Sequence, residues 1–444
     1  LEFIMSQRSL RILVLALVTT GLTPSVRAAD PSVARVLKFT AADSQVSCAV
    51  ILKATQLPKG NICHDHVILV DTSASQVGEH RQQSLDVLQS LLKSLPNTDR
   101  VRLFAADLQA EPLDDTFHTV RDPAIAEAVE SLKLRVPLGA TNLESVVRTA
   151  MKAAASDHPT DITYIGDGMS TADLIEIPEL RALISELRQL RMPIHSFGVG
   201  ARRNMQVLGT LGQQTGGFVA YDTVVIDASS ENETVKASKT KSAKLAKDIA
   251  RVRRGASERA SEQGKILATA MTSPVYFPVK MQIAPEDVTL LPPDPLPIRI
   301  DRETIYLAKG NLPAAMKVTL VAADGEAMEW KMSAPLEQPG ATFLPFMVGE
   351  VEVTRGLTNS LAGMPLFLLA QSDFSENLTL MAQRGAELLR ADNVEQATKI
   401  SDIVNTADPH NDAGRILRKS LESFKQRSAK PKGTEKPGLP TRQK

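Results

Sequence analysis

The sequence predicts an α/β protein: a mostly parallel sheet with helices on both faces, followed by smaller modules. Two observations predict it. Between residues 66 and 222, short apolar runs alternate with amphipathic helical stretches, the pattern of parallel strands joined by crossover helices. Two of those runs end abruptly in an acid, at Asp71 and Asp167. Sheets of this kind bind ligands at the carboxyl ends of their strands, so both acids are expected on one edge.

Each element is legible in turn. Residues 45–57 alternate and read as a strand preceding the unit. A turn follows, then the opening strand "HVILVD". Leu85, Leu88, Leu92 and Leu95 fall on one helical face. Residues 101–106 form a short apolar strand and 143–155 a helix. "DITYIGDG" at 161–168 is the next strand. Ile177, Leu180, Ile184 and Leu187 repeat the helical period. Residues 192–200 give a third parallel-type strand, "NMQVLGTLGQQTGG" a helix closed by glycines, and 218–222 the last strand.

The chain has 444 residues, more than one domain usually holds. Residues 1–4 read as an artificial or upstream remnant. Residues 5–28 have a basic start (Arg8, Arg11), an apolar run and small residues ending at Ala28, the three parts of a secretory signal peptide. No later segment is apolar enough for a bilayer span. The mature protein is therefore expected to be exported (periplasmic, cell-surface or secreted) without a transmembrane span. The α/β unit is assigned to 45–228 and a charged linker and helix to 229–272, with the helix at 242–256 or longer and solvated. An all-β, sandwich-like module at 273–356 follows, its strands including "TFLPFMVGEVEV". Trp330, the only tryptophan, reads as packing in that module. Residues 357–427 read as a helical hairpin plus a third helix, and 428–444 as a disordered basic tail.

Composition narrows the function little. Lys+Arg and Asp+Glu number 51 each, so no global charge favours nucleic acid. Cys48 and Cys63 lack zinc-site spacing. They could close one short loop as a disulfide or stand as free thiols. His64, His66 and His80 read as ordinary polar residues.

The informative stretch is "DTSAS". Asp71, Ser73 and Ser75 present a carboxylate and two hydroxyls from one loop. Hard oxygen donors suit Mg²⁺ or Mn²⁺. Thr141 in "LGATNLES" and Asp167 in "YIGDGMS" offer further oxygens. Water and an outside acid would complete the shell, because Mg²⁺ keeps or exchanges water. Asp and Ser after a strand can also cap the following helix. Taken singly, such a residue is a cap about as readily as a ligand.

At these residues the chain resembles a von Willebrand factor type A domain. That family's metal-ion-dependent adhesion site uses Asp-x-Ser-x-Ser, a distant Thr and a distant Asp, matched here by Asp71, Ser73, Ser75, Thr141 and Asp167. "GATNL", "GDG", "FGVG" and "TGGFVAYD" also fall where the family has similar segments. The resemblance covers roughly 66–222. It implies a Rossmann-like fold, a divalent cation (Mg²⁺, or Mn²⁺ or Ca²⁺) and binding of a protein partner through an exposed Asp or Glu. The C-terminal helices resemble a single tetratricopeptide-type repeat at Gly385, Leu388, Ala397 and Pro409. The reading is thus a cation-dependent adhesion or interaction module and not an enzyme. An envelope scaffold with a structural metal is the alternative. A Mg²⁺-dependent hydrolase fits less well: aspartyl-phosphate phosphatases want a second acid where this chain has Ser73, and no nucleophile elbow or phosphate loop occurs.

Overall fold

A computed structural model describes residues 34–41, 43–57, 63–154, 158–222 and 239–429. The expected signal peptide, residues 229–238 of the expected 229–272 linker and helix, and nearly all of the basic tail lie outside them. Two strands come first, β1 (Ala34–Thr40) and β2 (Val46–Leu52). The α/β unit begins with β3 (Asp65–Asp71), α1 (Glu79–Ser94), β4 (Arg100–Ala106), β5 (Ala110–Pro112), β6 (His118–Thr119) and α2 (Pro123–Leu134). It continues with α3 (Leu143–Ala153), β7 (Thr160–Gly166), α4 (Ile177–Gln189), β8 (Ile194–Gly198), α5 (Met205–Thr215), β9 (Val219–Tyr221) and α6 (Lys239–Met271). A β-rich module supplies β10 (Val275–Tyr276), β11 (Pro278–Ala284), β12 (Ile298–Arg299), β13 (Thr304–Lys309), β14 (Met316–Ala322), β15 (Ala327–Met332) and β16 (Leu336–Glu337). The helices α7 (Leu344–Val353), α8 (Met364–Arg390), α9 (Val394–Ala407) and α10 (Asp412–Ala429) follow.

The main sheet runs β5-β4-β3-β7-β8-β9, with β6 also on β4. Strands β4, β3, β7, β8 and β9 are mutually parallel, and β5 and β6 join antiparallel. Alternate side chains on one strand point to opposite faces. Ile68 and Val70 therefore pack with α1, α2 and α6, while Val67 and Leu69 pack with α3, α4 and α5. Both faces are covered, which is why these strands read as unbroken apolar runs. The parallel strands deliver their carboxyl ends to a single edge.

Several expectations are corrected. Strand β2 does not precede the main sheet as part of it. It pairs with β1 and with β13 in a four-stranded sheet, β13-β2-β1-β16. That sheet packs on β11-β14-β15 through a shared core of Val36, Val50 and Leu52 against Val318, Leu320 and Trp330. Trp330 is buried as expected, and its Nε1–H donates to the Lys53 carbonyl at 3.0 Å. The stretch read as a strand at 342–353 is largely helix α7. Pro345 sits in its first turn, where a missing N–H costs nothing, and Leu344, Val348 and Val351 form one buried helical stripe. The charged helix α6 is no solvated connector at its carboxyl half. Ala260, Leu267, Ala268 and Met271 are buried in the α1 side of the core. Cys48 and Cys63 are free thiols. Cys48 is buried in β2, and Cys63 donates to the Thr98 carbonyl.

The C-terminal helices α8, α9 and α10 pack on one another as the expected hairpin plus a third helix. At Gly385 a Cβ would lie 2.5 Å from Leu417 Cδ2, so a small residue lets the helices meet closely.

The α/β unit is joined to the β module at the end of α5. Buried Arg302 donates to the Gly212, Gly217 and Glu303 carbonyls and to Gln213 Oε1. Arg299 reaches the Gly216 and Ala270 carbonyls. These cations satisfy helix-end carbonyls that would otherwise be orphaned. Arg302→Met is expected to lower stability by about 2–3 kcal/mol, since buried acceptors lose charge-assisted partners. Urea unfolding would check it, and an unchanged midpoint would remove Arg302 from the junction's energetics.

Candidate metal centre

The five oxygen-bearing residues lie together at the carboxyl edge of the sheet. Asp71 is the last residue of β3 and Asp167 follows β7, its neighbour. Ser73 lies in the loop after β3, Ser75 in the short 3-10 turn that follows it, and Thr141 precedes α3. Backbone bonds hold the loops in register: Leu138 N–H donates to the Thr72 carbonyl at 2.9 Å, Ala74 N–H to that of Gly139 at 3.1 Å, and Ala172 N–H to that of Thr141 at 3.1 Å. Gly166 allows the strands to close on each other, because a Cβ there would stand 2.6 Å from Asp71 Cβ. Gly168 turns the chain after Asp167 with φ of 70°, a backbone region that glycine enters without strain.

Thr141 Oγ1 lies 3.3 Å from each Asp71 carboxylate oxygen. The Ser73 and Ser75 hydroxyls are 3.1 Å apart. The helix-capping alternative fails for Ser73, which precedes a short 3-10 turn (Ala74–Gln76) but makes no side-chain cap bond. The N-cap of α1 is Gly78. The hydroxyls are therefore not consumed by the following helix.

Two participants were not singled out by sequence. Gln76 is fully buried, and its Nε2 donates to Asp167 Oδ2 at 3.1 Å and to Ser75 Oγ at 3.2 Å. Its Oε1 is buried without a partner among the described residues. Tyr164 donates its hydroxyl to Asp71 Oδ2 at 2.6 Å. A phenol inside an apolar strand was the available signal, since buried Tyr hydroxyls need a partner.

The electrostatics favour a cation. Burial pushes the Asp71 carboxyl above its ordinary range, against the hydrogen bonds from Tyr164 and Ser73, and the Asp167 charge adds to the rise. Burial and Asp71 together hold the Tyr164 phenol well above its usual value, so it remains a donor. Among the described residues no ion pair reaches either aspartate. Arg81 feels the Asp71 charge, yet its guanidinium is bound to the Leu132 carbonyl. Buried charges are normally paired or metal-bound. Among the described residues no group of three or more His, Cys, Asp or Glu could hold a metal, so any ion here depends on hydroxyl donors. That donor set fits a hard divalent cation.

The histidines behave differently from their expected role. His80 Nδ1 lies 3.1 Å from the Ser75 carbonyl, at the rim of this site. His66 lies at the amino end of β3, away from it, buried between Asp161 and Asp99. It is no ordinary polar residue.

The family model for the von Willebrand factor type A domain matches residues 65–221. No curated protein matches the chain. Among solved structures, a von Willebrand factor type A protein from Catenulispora acidiphila is 15% identical, covers 88% of this chain and 89% of its own, and has a TM-score of 0.45. The ArnB paralog VWA2 from Sulfolobus acidocaldarius is 13% identical, with coverage of 89% and 98% and a TM-score of 0.36. An aerotolerance-related membrane protein from Bacteroides fragilis is 15% identical over 38% of this chain and 94% of its own, with a TM-score of 0.30.

Proposed function

The chain carries a von Willebrand factor type A domain at residues 65–221, and we propose that it is a divalent-cation-dependent protein-binding module of an exported envelope protein. Domains of this family are protein-interaction modules. The observation that carries the finer reading is the convergence of two buried carboxylates, without an ion pair among the described residues, with three hydroxyls at one sheet edge. Asp71, Ser73, Ser75, Thr141 and Asp167 would hold Mg²⁺, Mn²⁺ or Ca²⁺, and the ion would supply a Lewis-acidic point for a partner's Asp or Glu. Tyr164 and Gln76 orient the two aspartates. Both Asp71 oxygens already accept hydrogen bonds, which suits a ligand better than a free nucleophile and supports binding over hydrolysis. The export reading rests on the N-terminal signal pattern. Among the described residues no helix is long and apolar enough to cross a membrane.

Calorimetric titration of Mg²⁺, Mn²⁺ and Ca²⁺, each into the chelator-stripped chain, tests the proposal. One ion per chain is expected. Absence of heat and of any thermal shift with all three ions would overturn it. Gln76→Ala is expected to weaken cation affinity about 10–100-fold, the usual cost of losing a residue that orients a ligand. Unchanged affinity would assign Gln76 to packing alone.

A further inference from the structure

Five large, exposed apolar residues lie on the loops that carry or adjoin the oxygen cluster. Leu138 is 68% exposed, Val77 56%, Leu108 55%, Met169 41% and Leu174 77%. Each is tied to the site by backbone. Val77 follows Gln76 directly. The Met169 N–H donates to Asp167 Oδ1 at 2.9 Å, and Leu138 N–H to the Thr72 carbonyl. The Asp107 carbonyl accepts from Asn142 N–H, which sets the turn bearing Leu108 beside Thr141. The Ala172 N–H bond to the Thr141 carbonyl brings in the loop bearing Leu174.

Scattered exposed apolar residues are ordinary. Five of them on loops bonded to one polar site are not, because apolar surface beside a polar site marks an interaction face. We propose that this rim selects partners in which a single carboxylate is flanked on both sides by large apolar side chains. This rests on the cation reading above.

Charge sets the same limit. A divalent ion balances Asp71 and Asp167, and one partner carboxylate then leaves the centre one unit negative. Further acids would meet that charge and the exposed Glu79 and Asp173 at the same edge. Like charges across an interface disfavour the wrong partner. A polyacidic segment is therefore repelled, while apolar flanks bury the rim and supply affinity.

The test uses the full chain and fluorescein-labelled peptides read by anisotropy, with Mg²⁺ or with chelator. The probes, all amidated at the carboxyl terminus, are Leu-Phe-Glu-Leu-Leu, Leu-Phe-Gln-Leu-Leu, Ser-Gly-Glu-Gly-Ser and hexa-aspartate. The first is expected to bind only with the cation, and at least about tenfold tighter than the other three. Leu138→Ser and, separately, Leu174→Ser are each expected to weaken it several-fold. Equal binding of the Ser/Gly-flanked or hexa-aspartate probe would overturn the selectivity. So would cation-independent binding, equal binding of the Gln probe, unchanged affinity in both variants, or no peptide binding to chain that takes up cation. Failure to bind cation in the parallel calorimetric titration is a separate result, and it removes the metal reading together with this inference.

Discussion

Asp71→Asn is expected to abolish Mg²⁺ and Mn²⁺ binding and, in chelator, to raise the melting temperature of the transition that unfolds the α/β unit. The two effects have one cause. Asp71 is fully buried, and burial, together with the charge of Asp167, lifts its carboxyl pKa. A carboxyl whose folded value exceeds its unfolded value of about 3.9 favours folding below the unfolded pKa. That contribution is lost as pH rises through the folded value. The buried charged form therefore opposes folding unless a cation is present. Asparagine keeps an acceptor for the Ser73 N–H, which donates to Asp71 Oδ1 at 2.8 Å, and removes the charge. The cation term acts in the other direction, since an ion at a hundredfold excess over its dissociation constant stabilises the native state by about 2.7 kcal/mol. Scanning calorimetry of both proteins with Mg²⁺ and with chelator separates the terms. The parent should respond to Mg²⁺ and the variant should not. A variant that still shifts with Mg²⁺ would place the ion elsewhere.

The site was legible for a topological reason. Parallel strands all deliver their last residues to one edge, so an acid ending β3 and an acid following β7 were expected on that edge, and the pairing of β3 with β7 makes them neighbours. The same logic could not find Gln76, which looks like any polar loop residue until its amide is seen bridging Ser75 and Asp167. Strand β2 shows a second limit. Alternation marks a strand but does not name its partner, and here the partner is β13, some 250 positions along the chain, with Cys48 opposite Ala308. In α7, β-branched and apolar residues favoured strand by propensity, while the stripe of Leu344, Val348 and Val351 packing toward the β-module sheet decided for helix. Tertiary burial commonly overrides so weak a preference. In α6 the buried seam consists of small or widely spaced apolar residues among many charges, which made the helix look solvated.

His66→Leu is expected to destabilise the protein by about 3–5 kcal/mol near neutral pH, the usual cost of removing one partner from a buried charge cluster. His66 is fully buried, with Nδ1 2.7 Å from Asp161 Oδ2 and Nε2 3.2 Å from Asp99 Oδ2. Asp161 belongs to β7 and Asp99 immediately precedes β4, so one imidazolium ties the three central strands at their amino ends. Burial alone would lower its pKa. The carboxylates of Asp161 and Asp99 outweigh that and raise it to about 9. In return the His66 charge holds Asp99 below its ordinary range despite burial. For a base raised in the folded state, the stabilisation is complete below the unfolded pKa of about 6.5 and is lost as pH rises through about 9. The parent's urea midpoint should therefore fall between pH 7 and pH 9.5, estimates that bracket the titration, and the fall should be much smaller in His66→Leu. The leucine variant leaves two buried carboxylates facing an apolar group, and Asp161 Oδ1 already lacks a hydrogen-bond partner among the described residues. Adding Asp161→Asn to His66→Leu should then recover part of the lost stability, because it removes one uncompensated charge. Identical pH dependence in parent and variant, or further loss in the double variant, would show that the cluster is held by packing and not by charge.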